Sequence, residues 1–381
     1  MKLRLAIVRQ RYNPFGGAER IVARSLPALE RAGTDATLIA RSAKGWGARS
    51  MIKVAPFYVG RVWRDWSFAR AARAAWRRRG FDIVQSHERI PGCMLYRAGD
   101  GVHRRWIELR KQNAGLFARV GIALNPYHRY VCAAERKMFE HPRLRAVICI
   151  SKMVRSEVLR SFRIDPDKLH VIYNGVDLEY FHPRQRPERR EQARVQLACA
   201  DGDTVFLFVG SGFSRKGLAG AIDALALAGN NSYRLVVAGR DRQQAVFERQ
   251  ARVRGVDARV HFLGGLEDVR PLYTAADCLI LPSRYDPFGS TVLEAMAMGL
   301  PAIVSTRCGA AEIIEEGVNG WICRPDDAPG IAALMRVAAA GVRNRAMSGA
   351  ARASAQRLSI DAMADKLVKL YSILRSTAAR E

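Results

Sequence analysis

Residues 278–297 read Cys278-Leu279-Ile280-Leu281-Pro282-Ser283-Arg284-Tyr285-Asp286-Pro287-Phe288-Gly289-Ser290-Thr291-Val292-Leu293-Glu294-Ala295-Met296-Ala297. Four consecutive apolar residues with no polar alternation suit a strand buried on both faces, as in a parallel sheet flanked by helices. The Pro287-Phe288-Gly289 turn follows, and then a helix begins. Two carboxylates eight positions apart flank this turn: Asp286 lies in the loop at the strand's end, and Glu294 about one turn into the helix. Between them Phe288, Gly289 and Ser290 offer backbone amides at a helix N-terminus, suited to a sugar hydroxyl or a phosphate.

The same strand–loop–helix unit recurs in both directions. Val205–Val209, Arg234–Ala238, Val260–Phe262 and Ala302–Ser305 are short, near-continuous apolar runs. Leu3–Val8, Ala36–Ala40, Phe81–Gln85, Ala146–Ile150 and His170–Tyr173 read as strands of an earlier set, with helix-like stretches such as Ala18–Ala32 between them. This alternation predicts an α/β protein of two successive doubly wound units. The charged, proline-containing stretch His182–Glu191 reads as the linker, dividing the chain into residues 1–183 and 184–358. Met363, Leu367, Leu370, Tyr371 and Leu374 recur at helical spacing, so residues 359–381 form an amphipathic helix expected to return to the first unit.

Composition narrows the class. With 49% hydrophobic residues the chain supports ordinary cores and is no disordered polycation. No run approaches the ~18 apolar residues of a membrane span. Met1–Arg9 is too short and too early charged for a signal peptide, and reads as a first buried strand. Seven scattered cysteines without a Cys-x-x-Cys pair argue against a disulfide framework or a zinc site and fit a reducing cytoplasm. None of the seven histidines pairs at metal-ligand spacing, and Asp201-Gly202-Asp203 precedes a strand and reads as a turn, so no metal site is expected.

The formal charge of +26 is uneven. Residues 1–185 carry 36 basic and 15 acidic residues, a net of +21, whereas residues 186–381 carry 26 and 21, a net of +5. The first half is therefore expected to face something anionic. Residues 101–136 interleave Arg104, Arg105, Arg110, Lys111, Arg119, Arg129 and Arg136 with Trp106, Leu116, Phe117, Val120, Tyr127 and Tyr130, the pattern of a segment lying in an anionic lipid interface. Trp63, Trp66 and Trp76 with Arg77-Arg78-Arg79 form a second basic, aromatic stretch. A helical hairpin packed on the core with solvated arginines is the competing reading. Nucleic acid as the partner is disfavoured, since zinc-finger spacing, an RNP-like aromatic strand and a basic tail are all lacking.

Two other loops carry ligand chemistry. Gly16-Gly17 follows the first strand and opens the first helix, where amides favour an anion, yet it lacks the Gly-x-Gly-x-x-Gly dinucleotide pattern. Gly210-Ser211-Gly212-Phe213-Ser214-Arg215-Lys216-Gly217 places two adjacent cations at the carboxyl end of a buried strand. Arginine binds a phosphate through two donors and lysine adds a compact charge, as a diphosphate leaving group needs.

The Asp286-x7-Glu294 spacing with Pro-Phe-Gly inside it resembles the Glu-x7-Glu motif of retaining glycosyltransferases with the GT-B fold. Gly16-Gly17-Ala18-Glu19-Arg20, Ile172-Tyr173-Asn174-Gly175-Val176-Asp177 and Arg215-Lys216-Gly217 resemble the other signatures of glycosyltransferase family 4, in the family's order over residues 13–310. The stretches Pro91–Asp100 and Tyr127–Arg136 are similar to the lipopolysaccharide core glucosyltransferase I branch. The resemblance implies two Rossmann-like domains facing across a cleft, the first binding the acceptor and the second the nucleotide sugar. It implies transfer of a hexose, glucose in that branch, from a UDP-sugar to an inner-core heptose or similar phosphorylated lipid-linked glycan. A metal-independent enzyme without cofactor is implied, peripheral on the inner face of the cytoplasmic membrane.

Carried over by motif, Arg215 and Lys216 meet the nucleotide diphosphate, Asp286 holds sugar hydroxyls, and the Phe288, Gly289 and Ser290 amides meet sugar and phosphates. Glu294 binds the ribose hydroxyls. Gly16 and Gly17 line the donor–acceptor junction, and Asp100 faces the acceptor as a base or orienting group, with His103 a second acceptor-side candidate. The first acid is aspartate, one methylene shorter than the family's usual glutamate. The same fold with another nucleotide sugar or a soluble acceptor, or a nucleotide-sugar epimerase, remains an alternative.

Overall fold

The computed structural model describes residues 2–12, 17–43, 45–46, 49–112, 114–341 and 345–378. The chain divides into two compact units, Met1–Gly175 with Ile360–Glu381, and Val176–Ser359.

Unit 1 is built on a parallel sheet of seven strands: β1 (Leu3–Val8), β2 (Thr34–Ala40), β3 (Met51–Lys53), β4 (Ile83–Ser86), β5 (Leu95–Arg97), β6 (Ala146–Cys149) and β7 (Leu169–Val171). Their order is β3-β2-β1-β4-β5-β6-β7. The helices used below are α1 (Gly17–Arg31), α2 (Gly60–Arg79), α3 (His103–Gln112), α4 (Leu116–Leu124) and α5 (Pro126–Phe139). The central strands are buried on both faces, β1 except at Arg4, and β4 keeps Gln85 and Ser86 buried beside its apolar residues.

Unit 2 has a parallel sheet of six strands: β8 (Thr204–Val209), β9 (Tyr233–Ala238), β10 (Val260–Gly264), β11 (Cys278–Leu281), β12 (Ala302–Ser305) and β13 (Gly320–Cys323). Their order is β10-β9-β8-β11-β12-β13. The chain winds outward from β8 to β10 and then returns to lay β11 against β8, with Phe206 opposite Cys278 and Leu207 opposite Leu279. The order reverses there, so the loops leaving β8 and β11 diverge and open a crevice at their carboxyl ends. Helices α6 (Arg186–Gln196), α7 (Phe213–Lys216) and α8 (Ser290–Ala297) belong to this unit.

The unit boundary corrects the expected division at residues 183/184. It falls after Gly175, because the following residues are already tied into unit 2. The Val176 amide donates to Leu358 O at 2.9 Å, the Arg352 guanidinium donates to Phe181 O at 2.8 Å, and the Phe181 ring meets Tyr273 edge-on at 5.9 Å. The stretch read as a linker is a docked helix instead: Arg190 of α6 reaches the Asp277 carboxylate and donates to Thr274 O at 3.0 Å. Charge and proline at a surface helix start look like a linker until the partner is seen.

The last helix, α9 (Ile360–Ala378), buries Met363, Leu367, Leu370, Tyr371 and Leu374 in one core cluster with Leu5, Ile7, Leu26 and Leu38 of unit 1. The Tyr371 hydroxyl donates to Gln85 Oε1 at 2.7 Å. Trp76 corrects the reading of the second basic, aromatic stretch. It is buried, at the four-residue spacing of Phe68 and Ala72, whereas Trp63 and Trp66 stay exposed on the same helix.

Candidate active site

At the reversal point of unit 2, the loop after β8 turns into the single-turn helix α7, whose last two residues are Arg215 and Lys216. Asp241 accepts a hydrogen bond from the Phe213 amide at 2.7 Å and fixes the start of that turn. The backbone of Arg215 is clamped to the β11 loop, accepting from the Arg284 amide at 2.9 Å, while its guanidinium donates to Tyr285 O at 2.8 Å. Lys216 runs past Gly210, where the backbone sits at φ +144° and an added Cβ would lie 2.6 Å from the lysine Cδ and Cε. Only glycine leaves that path open.

Lys216 Nζ donates to Asp286 Oδ2 at 3.0 Å, with Arg215 Nη1 3.8 Å from the same oxygen. The Phe288 amide lies 3.4 Å from Asp286 Oδ1. Burial pushes this carboxyl's pKa up, but Lys216, Arg215 and the two hydrogen bonds outweigh it and hold it below the usual aspartate value. Asp286 is therefore an anion at neutral pH, aiming two cations into the crevice.

The turn from Asp286 to α8 is braced by the segment after β12. Asp286 donates through its amide to Arg307 O at 3.0 Å, and Phe288 O accepts from the Ala310 amide at 2.7 Å. Gly289 precedes α8 at φ +80°, with Cys308 Sγ 2.7 Å from where a Cβ would sit. Here too a side chain has no room. Glu294, one turn into α8, is buried and accepts from the Tyr273 hydroxyl at 2.9 Å. One unit thus gathers Arg215, Lys216, Asp286, Phe288, Gly289, Ser290 and Glu294 around the ends of two adjacent strands.

The acceptor-side candidates lie in unit 1. Asp100 is half exposed, its Oδ2 3.9 Å from Arg89 Nη1. Arg89 also bonds the fully buried Glu135, Nε to Oε1, at 2.9 Å. Glu135 accepts from the His103 amide at 2.8 Å and the Arg104 amide at 3.2 Å, capping α3. His103 Nε2 lies 3.1 Å from His128 Nδ1, and burial, then Arg89, His128, Arg110 and Arg61, press its pKa down to about 4. Gly17 opens α1, whereas Gly16 lies outside the described residues.

Sequence reasoning missed Arg89, Glu135 and Tyr273. Each sits in an ordinary helix or loop among residues of no marked pattern, and its partner is distant along the chain. Asp201-Gly202-Asp203 is a turn, in which Asp203 accepts from the Ala200 amide at 2.8 Å.

The family described as Glycosyltransferase Family 4 matches residues 15–180, and that described as Glycosyl transferases group 1 matches residues 189–349. The D-inositol 3-phosphate glycosyltransferase of Jonesia denitrificans is 30% identical over 319 residues, covering 78% of this chain and 73% of that protein. The lipopolysaccharide glucosyltransferase WaaG of Escherichia coli K12 is 28% identical over 244 residues, 63% of each, so the match spans less than two thirds of that relative. A crystal structure of WaaG superposes with a TM-score of 0.83 at 24% identity, covering 96% of this chain and 99% of that one. Anabaena HepE in complex with UDP-glucose gives a TM-score of 0.74 at 19% identity, covering 97% of this chain and 99% of that one. The paired parallel sheets, the clustered motif residues and these matches make the chain a member of glycosyltransferase family 4, with the GT-B fold and near the WaaG branch.

Proposed function

We propose that this protein is a retaining glycosyltransferase that moves a hexose, glucose, from a UDP-sugar to an inner-core heptose or similar phosphorylated lipid-linked glycan in lipopolysaccharide core biosynthesis. The observation that carries this reading is the Lys216–Asp286 pair beside the α8 amides. It sets fixed positive charge where a sugar diphosphate breaks, and a carboxylate where sugar hydroxyls need an acceptor. The named activity of WaaG and the UDP-glucose bound by HepE support the donor.

Lys216 and Arg215 neutralise the diphosphate as the glycosidic bond lengthens, and the α8 N-terminal amides share that charge. The acceptor hydroxyl attacks the face from which the diphosphate leaves, and the leaving phosphate takes its proton. No paired nucleophile and acid of the glycosidase kind is assigned to the reaction. It proceeds without a metal ion, so chelation leaves turnover unchanged.

The enzyme works on the inner face of the cytoplasmic membrane. Helix α4 supports this: none of its residues is buried, and Leu116, Phe117, Val120 and Leu124 are exposed beside Arg119. Among the described residues no helix is long and apolar enough to cross a membrane. The test is transfer from UDP-, ADP- and GDP-sugars onto heptose-terminated lipopolysaccharide, with the product's anomeric configuration read by NMR. An α-linked glucose from UDP-glucose is expected. Release of UDP without a glycosylated product overturns the proposal. The match over 319 residues to an inositol-phosphate glycosyltransferase favours, as a second reading, a soluble phosphorylated acceptor.

A further inference from the structure

Helix α2 sorts its aromatic residues by face. Trp63 and Trp66 are exposed, and Phe57 and Val59 just before the helix are exposed with them. Phe57 packs edge-on against Trp63 at 5.6 Å. Beside them runs an open groove of about 500 Å³ walled by Val59, Arg61, Val62, Trp63, Trp66 and Tyr130. Its walls are apolar apart from Arg61, and no carboxylate lines it.

Arg61 leads to a cationic cluster. Its guanidinium lies 4.1 Å over the Tyr127 ring, Tyr127 adjoins His128, and His128 Nε2 is 3.4 Å from Arg110 Nη1. Along α2 seven arginines face a single acid, Asp65. That acid is engaged, accepting from Arg64 at 2.7 Å and from Gln10 at 3.1 Å. An apolar slot bounded by tryptophan and headed by guanidinium groups matches a ligand with one apolar chain and one anionic head. A protein helix would fill the slot but leave the cations without a counter-charge unless it were acidic.

We propose that this groove is a stoichiometric site for one anionic phospholipid, with an acyl chain between Trp63, Trp66 and Tyr130 and the phosphate among Arg61, Arg110 and His128. The proposal rests on the membrane reading above and deepens it. It separates a specific lipid site on α2 from the general insertion of α4.

The test uses the full chain and dihexanoyl phosphatidylglycerol as monomers, with tryptophan fluorescence as the readout and dihexanoyl phosphatidylcholine as the control. Saturable binding of the glycerol lipid is expected, about tenfold (roughly 1.4 kcal/mol) tighter than the choline lipid, whose trimethylammonium opposes the arginines beside the shared phosphate. Trp63→Ser with Trp66→Ser removes the binding as read by calorimetry, while Arg61→Ala brings the two lipids to equal affinity. These side chains are exposed, and unchanged melting checks the fold. Phe117→Glu in α4 loses flotation with phosphatidylglycerol vesicles yet keeps monomer binding. If the wild type floats but binds no monomer, or if the tryptophan variants bind as well as wild type, the groove site is wrong and the membrane reading stands. If the wild type neither floats nor binds monomer, both fail.

Discussion

Lys216 and Asp286 stand seventy positions apart in the chain, and their side chains meet at 3.0 Å with both largely buried. Their encounter follows from one topological fact, the pairing of β8 with β11 at the point where strand order reverses. Removing Lys216 therefore has two consequences. The lost leaving-group charge lowers turnover by ~2–4 kcal/mol, roughly thirty- to a thousandfold. The fold also loses stability, because the buried carboxylate is left with Arg215 at 3.8 Å as its one cation and with the Phe288 amide at 3.4 Å. Lys216→Ala is expected to lower both kcat and melting temperature, and adding Asp286→Asn restores melting but not kcat. Unchanged turnover at saturating donor would remove Lys216 from the chemistry.

Gly210 makes a sharper test of the same lysine, since it touches no substrate in the proposed reaction. An alanine there places Cβ within 2.6 Å of the lysine stem at a backbone angle that costs ~1–3 kcal/mol for a residue with a side chain. Lys216 must leave its path, so Gly210→Ala lowers kcat in the same direction as Lys216→Ala. Residues acting through one group are not additive. The double variant is expected to turn over no more slowly than Lys216→Ala alone. Additive losses would show that Gly210 acts elsewhere.

Tyr273→Phe keeps the ring that packs on Phe181 but removes the hydroxyl that holds Glu294 at 2.9 Å. The carboxylate then loses one fixed donor, at a cost of about 1–2 kcal/mol. If Glu294 grips the ribose, which does not change during transfer, the loss is uniform in ground and transition states. The donor KM should rise several-fold with kcat unchanged in steady-state assays. A fall in kcat at constant KM would place Glu294 nearer the breaking bond.

The strands buried on both faces were legible because burial forces a near-continuous apolar run, as in residues 205–209, 278–281 and 302–304. Strand Met51–Lys53 was not, since its residues are exposed or half-buried and three positions hold no period. The loops of the candidate site were legible as strand–glycine–helix turns, but not the pairing of Lys216 with Asp286. Periodicity says that each loop follows a strand and is silent on which strands are neighbours. Arg89 and Glu135 look like solvated charges in the sequence, yet Glu135 is fully buried and caps α3. The three tryptophans of α2 show how narrow the margin is: Trp76 shares the four-residue spacing of Phe68 and Ala72, and Trp63 and Trp66 do not.

His103 offers a prediction in pH rather than in sequence. Its pKa is pressed down to about 4 by burial and by Arg89, His128, Arg110 and Arg61, against an ordinary value near 6.5. The folded chain thus keeps this imidazole neutral where the unfolded chain protonates it. The unfolded state binds the extra proton below pH 6.5, so the stability tied to His103 is complete above that pH. It is lost progressively as pH falls toward 4. His87 and His128 are also shifted down, so the wild-type decline has several sources. His103→Gln isolates one of them, since glutamine keeps a hydrogen-bonding group toward His128 without titrating. Melting temperatures between pH 7 and pH 4 are expected to fall less steeply for the variant, with the two curves converging on the acid side. Parallel curves would mean that His103 titrates alike in folded and unfolded chains, and that Arg89, Arg110 and Arg61 around it are screened by water.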